Sequence, residues 1–259
     1  MKLRDLLEAA IDFHRRWTEA GGTAAPTSWG SVVSNLRYPL VHMANLGWVD
    51  AVPADGTRGI LADLDRAFLG TGVRHRCLQF TDARRAYEAQ EALAAQGFRP
   101  LAALAMAKVG LPACIINPDV LVRRVGEGAG DQDYREIAAA IHGELGYDPE
   151  ESRQLLELGG ERASRVGMRS YVAYLGGKPA GIFALWPRAP FALLEDIATR
   201  PAFRMQGVGR TMIFEGCSLA ADAGCEYVLL MTDPSRAGLP MFTTLGFQPV
   251  GEVRGFLRP

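Results

Sequence analysis

Hydrophobic positions recur at two spacings along this chain, and the spacings separate predicted helices from predicted strands. Residues 2–19 carry apolar side chains three and four positions apart and are followed by Gly21-Gly22, which predicts an amphipathic helix. A segment rich in Thr, Pro and Ser comes next and is predicted to be a loop. From about residue 46, short apolar segments alternate with helical ones, which predicts an α/β (α+β) protein.

One succession of elements occurs twice. Residues 75–107 and 226–257 each contain a predicted strand, Thr-Asp, a helix, Gly-Phe-x-Pro and a second strand. In both copies the aspartate can cap the helix, and the glycine can end it. The chain is therefore predicted to hold two similar domains. The proline-containing segment 109–120 lies between them, which gives domains of residues 1–112 and 118–259.

The second predicted domain has the more complete series of elements. Its periodicity changes repeatedly between two and about 3.6 residues, as in an alternation of strands and helices. The predicted elements are a strand at 119–125, helices at 132–144 and 149–165, strands at 169–175, 179–186 and 191–199, a glycine loop, a helix at 208–223, a strand at 226–232, a helix at 235–245 and a last strand.

The glycine loop is RMQGVGR, residues 204–210. Its glycines allow backbone N–H groups to approach an anion closely at the start of a helix. A plain tight turn would also use two glycines. A dinucleotide site is a further alternative, because Asp233 follows the next strand where a ribose-binding acid would lie. Against it, Met212 replaces the third glycine of G-x-G-x-x-G, and residues 201–204 form a spacer that a Rossmann turn lacks.

The same segment carries a family resemblance. LLEDIATRPAFRMQGVGR, residues 193–210, resembles the acyl-CoA motif of the GNAT superfamily of N-acetyltransferases, R/Q-x-x-G-x-G/A after a strand. Leu245-Gly246-Phe247 resembles the closing Leu-Gly-Phe of that family, and the resemblance covers residues 119–259 in element order. It implies two GNAT-like domains, each with a mixed, mostly antiparallel twisted sheet flanked by helices.

The first domain resembles a degenerate copy of this fold. It keeps Gly-Phe-x-Pro, but PADGTRGIL, residues 53–61, stands where the loop would be. We therefore expect it not to bind coenzyme A, and we expect one coenzyme A per chain.

The resemblance also implies where acetyl-CoA binds. In the family it lies between two splayed parallel strands, with its pantetheine arm on the first strand and its pyrophosphate on the loop N–H groups. The implied cofactor-binding residues are Ile197, Ala198, Thr199, Arg204, Met205, Gln206, Gly207, Val208, Gly209, Arg210, Thr211 and Ser235.

Acyl transfer to an amine requires a proton acceptor, and Glu195 is the expected general base. Many family members have an acidic residue there, and Glu195 would share a strand face with Thr199 unless a bulge intervenes. Asp196 is expected on the opposite face. For either carboxylate, a surface ion pair or a hydrogen bond with the backbone remains the alternative.

The expected general acid is missing. Phe242 stands where the family often has a tyrosine, and Ser235 and Gly238 replace its usual Asn and Ala. Either the thiolate leaves without a protein acid, or another group protonates it. The segment 142–151 carries several carboxylates, which suit a cationic acceptor or form a solvated charged surface. His142 and His42 stay undecided between function and packing.

Composition and charge argue against several classes of binding partner. The 259 residues are 48% hydrophobic and 22% charged with a net charge of −1, so nucleic acid is not an expected partner. No 18-residue apolar segment occurs, and the N-terminus has no signal-peptide pattern, so we expect a cytoplasmic protein without a membrane partner. The four cysteines lack metal-ligand spacing, so no metal is expected.

The sequence thus predicts an acyl-CoA-dependent N-acetyltransferase. It would transfer an acetyl group from acetyl-CoA to a primary amine, of a small molecule or a peptide, by direct attack in a ternary complex. One alternative is an acyl-CoA-binding pseudoenzyme or regulatory module without turnover. In another, the first domain narrows the acceptor channel or recognises a larger acceptor, such as a peptide or an amino-acyl compound. Either a monomer or a homodimer is compatible with the sequence.

Overall fold

The computed structural model describes residues 1–54, 56–128, 130–235 and 238–259. The chain forms two compact units, and neither is one continuous segment. The first unit contains residues 3–104 and 251–259, and the second contains residues 105–250 together with residues 1 and 2. These units differ from the predicted division into residues 1–112 and 118–259.

The described residues of the first unit form three α-helices and a mixed sheet. Its strands lie in the order β1-β2-β3-β4-β11, and of these neighbours only β3 and β4 run parallel. The elements are α1 (Leu3–Ala20), β1 (Thr23–Thr27), β2 (Gly30–Ser34), a 3-10 turn (His42–Ala44), β3 (Leu46–Val49), α2 (Thr57–Phe68), β4 (Arg76–Phe80), α3 (Ala83–Ala94), and parts of β5 (Arg99–Val109) and β11 (Gln248–Arg258).

In the second unit, the part of the chain that the structure describes forms four α-helices and the other strands. The strand order is β5-β10-β9-β8-β7-β6, with β9 and β10 parallel and the pairs from β6 to β9 antiparallel. Its elements, besides the rest of β5 and β11, are β6 (Val120–Arg124), α4 (Asp131–Glu144), α5 (Pro149–Val166), β7 (Arg169–Leu175), β8 (Lys178–Arg188), β9 (Phe191–Thr199), α6 (Val208–Asp222), β10 (Tyr227–Thr232) and α7 (Leu239–Thr244). The predicted fold class, with mixed and mostly antiparallel sheets flanked by helices, is confirmed.

The last strand explains why the units are discontinuous. Residues 248–250 belong to the second unit, and residues 251–259 belong to the first. There β11 pairs antiparallel with β4, from Arg254 opposite Phe80 to Arg258 opposite Arg76. A local sequence pattern gives no information about such a long-range strand pairing.

The repeated turn chemistry is present in one copy and altered in the other. Asp82 caps α3 by accepting a hydrogen bond from the N–H of Arg84, as predicted, at 2.9 Å. Asp233 instead accepts from the N–H of Ser235 at 2.8 Å, and α7 begins only at Leu239. Residues 236 and 237 of the helix predicted at 235–245 lie outside the described residues, as does residue 55 of the segment PADGTRGIL.

One hairpin was not predicted. Strands β1 and β2 lie within the segment expected to be a loop. The sequence lacks the alternating pattern of a strand here because β1 is an edge strand with almost every residue exposed. Pro26 within β1 and Gly30 at the start of β2 are also typical of loops. An edge strand without a buried face shows no alternation of polar and apolar residues.

A buried imidazole, His75, and a half-buried one, His42, make the stability of the first unit depend on pH. His75 is 5% exposed, its ring lies 4.5 Å from that of His42, and its Nε2 lies 3.2 Å from the carbonyl oxygen of Asn45. Burial, and secondly the charge that His42 can carry, lower the pKa of His75 to about 4. Burial also lowers the pKa of His42.

We expect the first unit to lose stability as the pH falls from about 6.5 to about 4. In that window the unfolded chain binds a proton at His75 that the folded chain does not bind. The expected loss is at most about 3 kcal/mol, measurable by urea unfolding at pH 7.5 and pH 4.5. His75→Gln, which keeps a donor near the Asn45 carbonyl, should reduce the difference. An equal difference in this variant would assign the effect to other groups.

Candidate functional site

Strands β9 and β10 separate part of the way along their length. They pair in parallel at Phe191 with Tyr227, Ala192 with Val228 and Leu193 with Leu229. Both strands continue beyond these pairs, but residues 194–199 of β9 do not pair with residues 230–232 of β10. A gap therefore opens between the two strands, and one edge of β9 keeps backbone groups that an extended ligand can bind.

The parallel pair in the first unit stays closed. Strand β3 pairs with β4 over its whole length, from Leu46 with Cys77 to Val49 with Phe80. The N–H of Thr81 then donates to the carbonyl of Val49 at 3.1 Å, which continues the pairing beyond the strands. The described part of this unit thus has no gap between its parallel strands.

The glycine loop lies between β9 and α6. Gly207 is the N-cap of α6 with φ 80°, and Met205, fully exposed, has φ 60°. The first hydrogen bond of the helix runs from the N–H of Thr211 to the carbonyl of Gly207 at 3.0 Å. Among the described residues, none accepts a hydrogen bond from the backbone N–H groups of residues 205–210. Free donors at the positive end of a helix form an anion site.

Two predicted contact residues have their side chains engaged elsewhere. Thr211 is 2% exposed, and its hydroxyl accepts a hydrogen bond from the N–H of Asn117 at 3.0 Å. The Arg210 guanidinium donates to the carbonyl of Ile115 at 3.3 Å. Thr211 therefore lies beneath the loop and supports it, which corrects its expected contact with a ligand.

Arg204 also departs from the expected phosphate contact. Its Nη2 lies 2.5 Å from Oε2 of Glu144 at the end of α4, and its Nε donates to the carbonyl of Thr199 at 3.1 Å. In this structure the arginine thus connects the loop with β9 and α4. The anion site is built from backbone groups.

A β-bulge in β9 places the two acidic residues. Ala184 of β8 lies opposite Glu195 and Ile182 lies opposite Ala198, so Phe183 faces two residues, and Asp196 has φ 55°. Ala198 packs with Ile182 in the cluster beneath α4. Glu195 therefore faces α4, together with Ala198.

The expected face-sharing of Glu195 with Thr199 is therefore wrong. Thr199 lies opposite Gly181, and a Cβ at Gly181 would contact Met212 of α6, so Thr199 faces α6. The expected placement of Asp196 on the face opposite to Glu195 is also wrong. The hydroxyl of Tyr134, on α4, donates to Oδ2 of Asp196 at 2.9 Å, so both carboxylates lie on the α4 side.

The two carboxyl groups of β9 have raised pKa values. Glu195 is half-buried on β9, and Asp196 is exposed. Burial, and secondly the negative charge of Asp196, raise the pKa of Glu195 to about 8. Burial also raises the pKa of Asp196, whereas the hydrogen bond from Tyr134 lowers it. The pKa of Tyr134 lies well above its ordinary value because of burial and Asp196, so its hydroxyl stays a donor.

His142 lies on α4, the helix that also carries Tyr134. Its Nδ1 is 2.9 Å from Oγ of Ser152, and its ring packs edge-on against Tyr147 at 5.5 Å. Burial lowers its pKa, so the imidazole is neutral near pH 7. Its contacts within the α4–α5 pair are those of a packed residue.

Among the described residues after β10, neither Phe242 nor Ser235 is placed to act as the expected acid. Phe242 is 7% exposed and packs edge-on against Phe247 at 6.2 Å. The hydroxyl of Ser235 donates to Oδ1 of Asp233 at 2.6 Å, and Ser235 is exposed. Within the described ranges, no group of three or more His, Cys, Asp or Glu side chains is arranged to hold a metal ion.

Two residues at the site had not been singled out from the sequence. Tyr134 is one aromatic residue in a predicted helix, and nothing local relates it to Asp196. Asn117 precedes Pro118, and Asn-Pro predicts only a turn. Its contact with the loop depends on the folding of the preceding segment onto α6.

Comparisons with known proteins agree with this geometry. Residues 132–247 match the family described as Acetyltransferase (GNAT) family. Glucosamine 6-phosphate N-acetyltransferase of Trypanosoma brucei brucei is 34% identical over 55 residues, which are 21% of this chain and 36% of that enzyme. The chain thus matches only about a third of that relative's length.

Two solved structures share the fold. A functionally unknown conserved protein from Staphylococcus epidermidis superimposes with a TM-score of 0.70 at 16% identity, over 92% of this chain and 94% of that one. A tandem GNAT protein from the clavulanic acid biosynthesis pathway, solved without AcCoA, gives a TM-score of 0.53 at 16% identity, over 82% of this chain and 74% of that one.

No helix in the described ranges is both long enough and apolar enough to cross a bilayer.

Proposed function

We propose that this chain transfers an acetyl group from acetyl-CoA to a primary amine. The match of residues 132–247 to the Acetyltransferase (GNAT) family supports this proposal. The observation that carries the proposal is the gap between β9 and β10, together with the free N–H groups of residues 205–210 in the loop that follows β9. A diphosphate on an extended thiol-bearing arm matches both parts of this site.

The residues present fit acetyl-CoA. The N–H groups of residues 205–210 would bind the pyrophosphate, because they are free and lie at the start of a 15-residue helix. The unpaired edge of β9 at residues 197–199 would bind the amides of the pantetheine arm. Ser235 stays a proposed contact from the end of β10.

Glu195 is the proposed general base. A neutral amine attacks the thioester carbonyl, a C–N bond forms and the C–S bond breaks, giving the N-acetylated amine and coenzyme A. The amine proton goes to the carboxylate of Glu195, and solvent protonates the thiolate, whose modest basicity does not require a protein acid. A pKa of about 8 makes the carboxylate of Glu195 a stronger base than an ordinary one.

The acceptor is proposed to be a primary amine of a small molecule or a peptide. The carboxyl groups of Glu195 and Asp196, when ionised, favour a positively charged acceptor, which must lose a proton before it attacks. The relative from Trypanosoma brucei brucei is named for an amino sugar phosphate, which belongs to the same chemical class.

A binding protein without turnover is the second candidate. Phe242 favours it, because its ring is packed into the core and supplies no proton. Release of free thiol from acetyl-CoA in the presence of a panel of amines distinguishes the two. Acetyl-CoA binding without thiol release across the panel would support this candidate.

We expect one acetyl-CoA to bind per chain. The second unit has an open strand pair and a loop with free donors, whereas the parallel strands of the first unit are closed. Calorimetric titration with acetyl-CoA, coenzyme A and NAD measures the stoichiometry and the selectivity. Preferential binding of NAD, or a second acetyl-CoA, would contradict the proposal.

A further inference from the structure

Asn117 makes hydrogen bonds with all of its polar groups around the loop. Its Nδ2 donates to the carbonyl of Gln206 at 2.8 Å, and its N–H donates to the hydroxyl of Thr211 at 3.0 Å. Its Oδ1 accepts from the N–H of Asp119 at 3.0 Å, and its carbonyl accepts from the N–H of Val120 at 3.2 Å. The side chain is therefore held from both sides in one orientation.

The bond to Gln206 fixes a peptide plane. In a trans peptide the C=O and N–H groups point in opposite directions. The carbonyl of Gln206 points to Asn117, so the N–H of Gly207 points away from it, and no described residue accepts a hydrogen bond from this N–H. This N–H is one of the donors assigned to the pyrophosphate.

The peptide needs such a restraint. Gly207 adopts φ 80°, but a glycine reaches negative φ with equal ease, so rotation of the Gln206–Gly207 peptide meets little resistance from the glycine. A rotated peptide would direct the carbonyl oxygen toward the anion in place of the N–H. A Cβ at Gly207 would lie 3.2 Å from Cβ of Asn117, so the two residues are also in close contact.

We propose that Asn117 is a positioning residue that keeps the N–H of Gly207 directed toward the pyrophosphate of acetyl-CoA. The inference rests on the proposed function, because the anion is that of acetyl-CoA. It concerns the segment before β6, which lies outside residues 132–247 and outside the glycine motif. Asn117 acts through the loop backbone and touches neither the acetyl group nor the acceptor.

The test compares two thioesters that differ in the pyrophosphate. Asn117→Ala is expected to raise the KM for acetyl-CoA about tenfold and to leave kcat and the KM for the acceptor unchanged. With S-acetylpantetheine, which has no pyrophosphate, kcat/KM should be the same in the variant and the wild type. Asp119→Ala is the matched control, because it changes an exposed neighbour and leaves the bond to Gln206 intact.

A second variant guards against a folding defect. Asn117→Asp keeps the acceptor for the N–H of Asp119 but lacks the donor to Gln206. It should therefore also raise the KM for acetyl-CoA and leave kcat/KM with S-acetylpantetheine unchanged. Equal losses with both thioesters, or no loss with either variant, would overturn the inference. Failure of the wild-type protein to bind acetyl-CoA would instead refute the proposed function. The two failures are therefore distinguishable.

Discussion

Replacing Glu195 by Gln is expected to lower kcat by about 10²- to 10⁴-fold, the usual contribution of a general base. The dissociation constant of acetyl-CoA should not change, because the proposed acetyl-CoA contacts lie on the loop and on residues 197–199. Gln has nearly the same shape as Glu and cannot accept the amine proton. Steady-state kinetics and calorimetric titration of the same preparation measure both quantities.

The pH dependence tests the same assignment. A base must be ionised to accept a proton, and the pKa of Glu195 is about 8. We therefore expect kcat to rise with pH up to about 8 and then to level off. Glu195→Gln should lose this rise, and any rise that remains belongs to the acceptor amine.

Asp196→Asn provides an internal control for the pH dependence. The negative charge of Asp196 raises the pKa of Glu195, so its removal should move the rise in kcat to lower pH. A pH profile identical in the wild type and in both variants would exclude Glu195 as the base. The second candidate, a binding protein, would then gain support.

Replacing Gly207 by Val is expected to weaken acetyl-CoA binding by about 100-fold. The position requires φ 80°, which a β-branched residue avoids, and the new Cβ would lie 3.2 Å from Cβ of Asn117. Relief of this strain changes the direction of the loop N–H groups. Calorimetric titration measures the affinity, and thermal unfolding without ligand measures the cost to stability.

Gly224 at the other end of α6 is the matched control. It has φ 77° and no atom within 4 Å of a hypothetical Cβ, so Gly224→Val introduces the same kind of backbone strain far from the loop. We expect it to lower stability without weakening acetyl-CoA binding. Similar losses of affinity in both variants would mean that the effect of Gly207→Val comes from general destabilisation.

Periodicity predicted the elements of the second unit well, because each has a buried face. The strand predicted at 191–199 has these bounds in the structure, and the helix predicted at 208–223 ends one residue earlier. The loop was located by its glycines, whose conformational freedom is visible in a sequence. Gly207 indeed adopts a left-handed conformation.

The side-chain geometry of the site was less predictable. A single extra residue in β9 changes which side chains share a face, and neither Glu195 nor Asp196 indicates that a bulge lies there. The partners of Arg204, Thr211 and Asp196 come from α4 or from the segment before β6, far away in the sequence. Periodicity reports on local burial and does not report such partners.

The path of β11 has a consequence for biosynthesis. A ribosome makes the chain from the N-terminus, and N-terminal domains generally fold first. Here β3 covers one edge of β4, but the strand that pairs with the other edge is missing until residues 251–259 have been made. This edge of β4 therefore stays unpaired while residues 105–250 are translated. The unit that begins first is thus completed last, and truncation at residue 250 should leave nascent chains prone to aggregation through that edge.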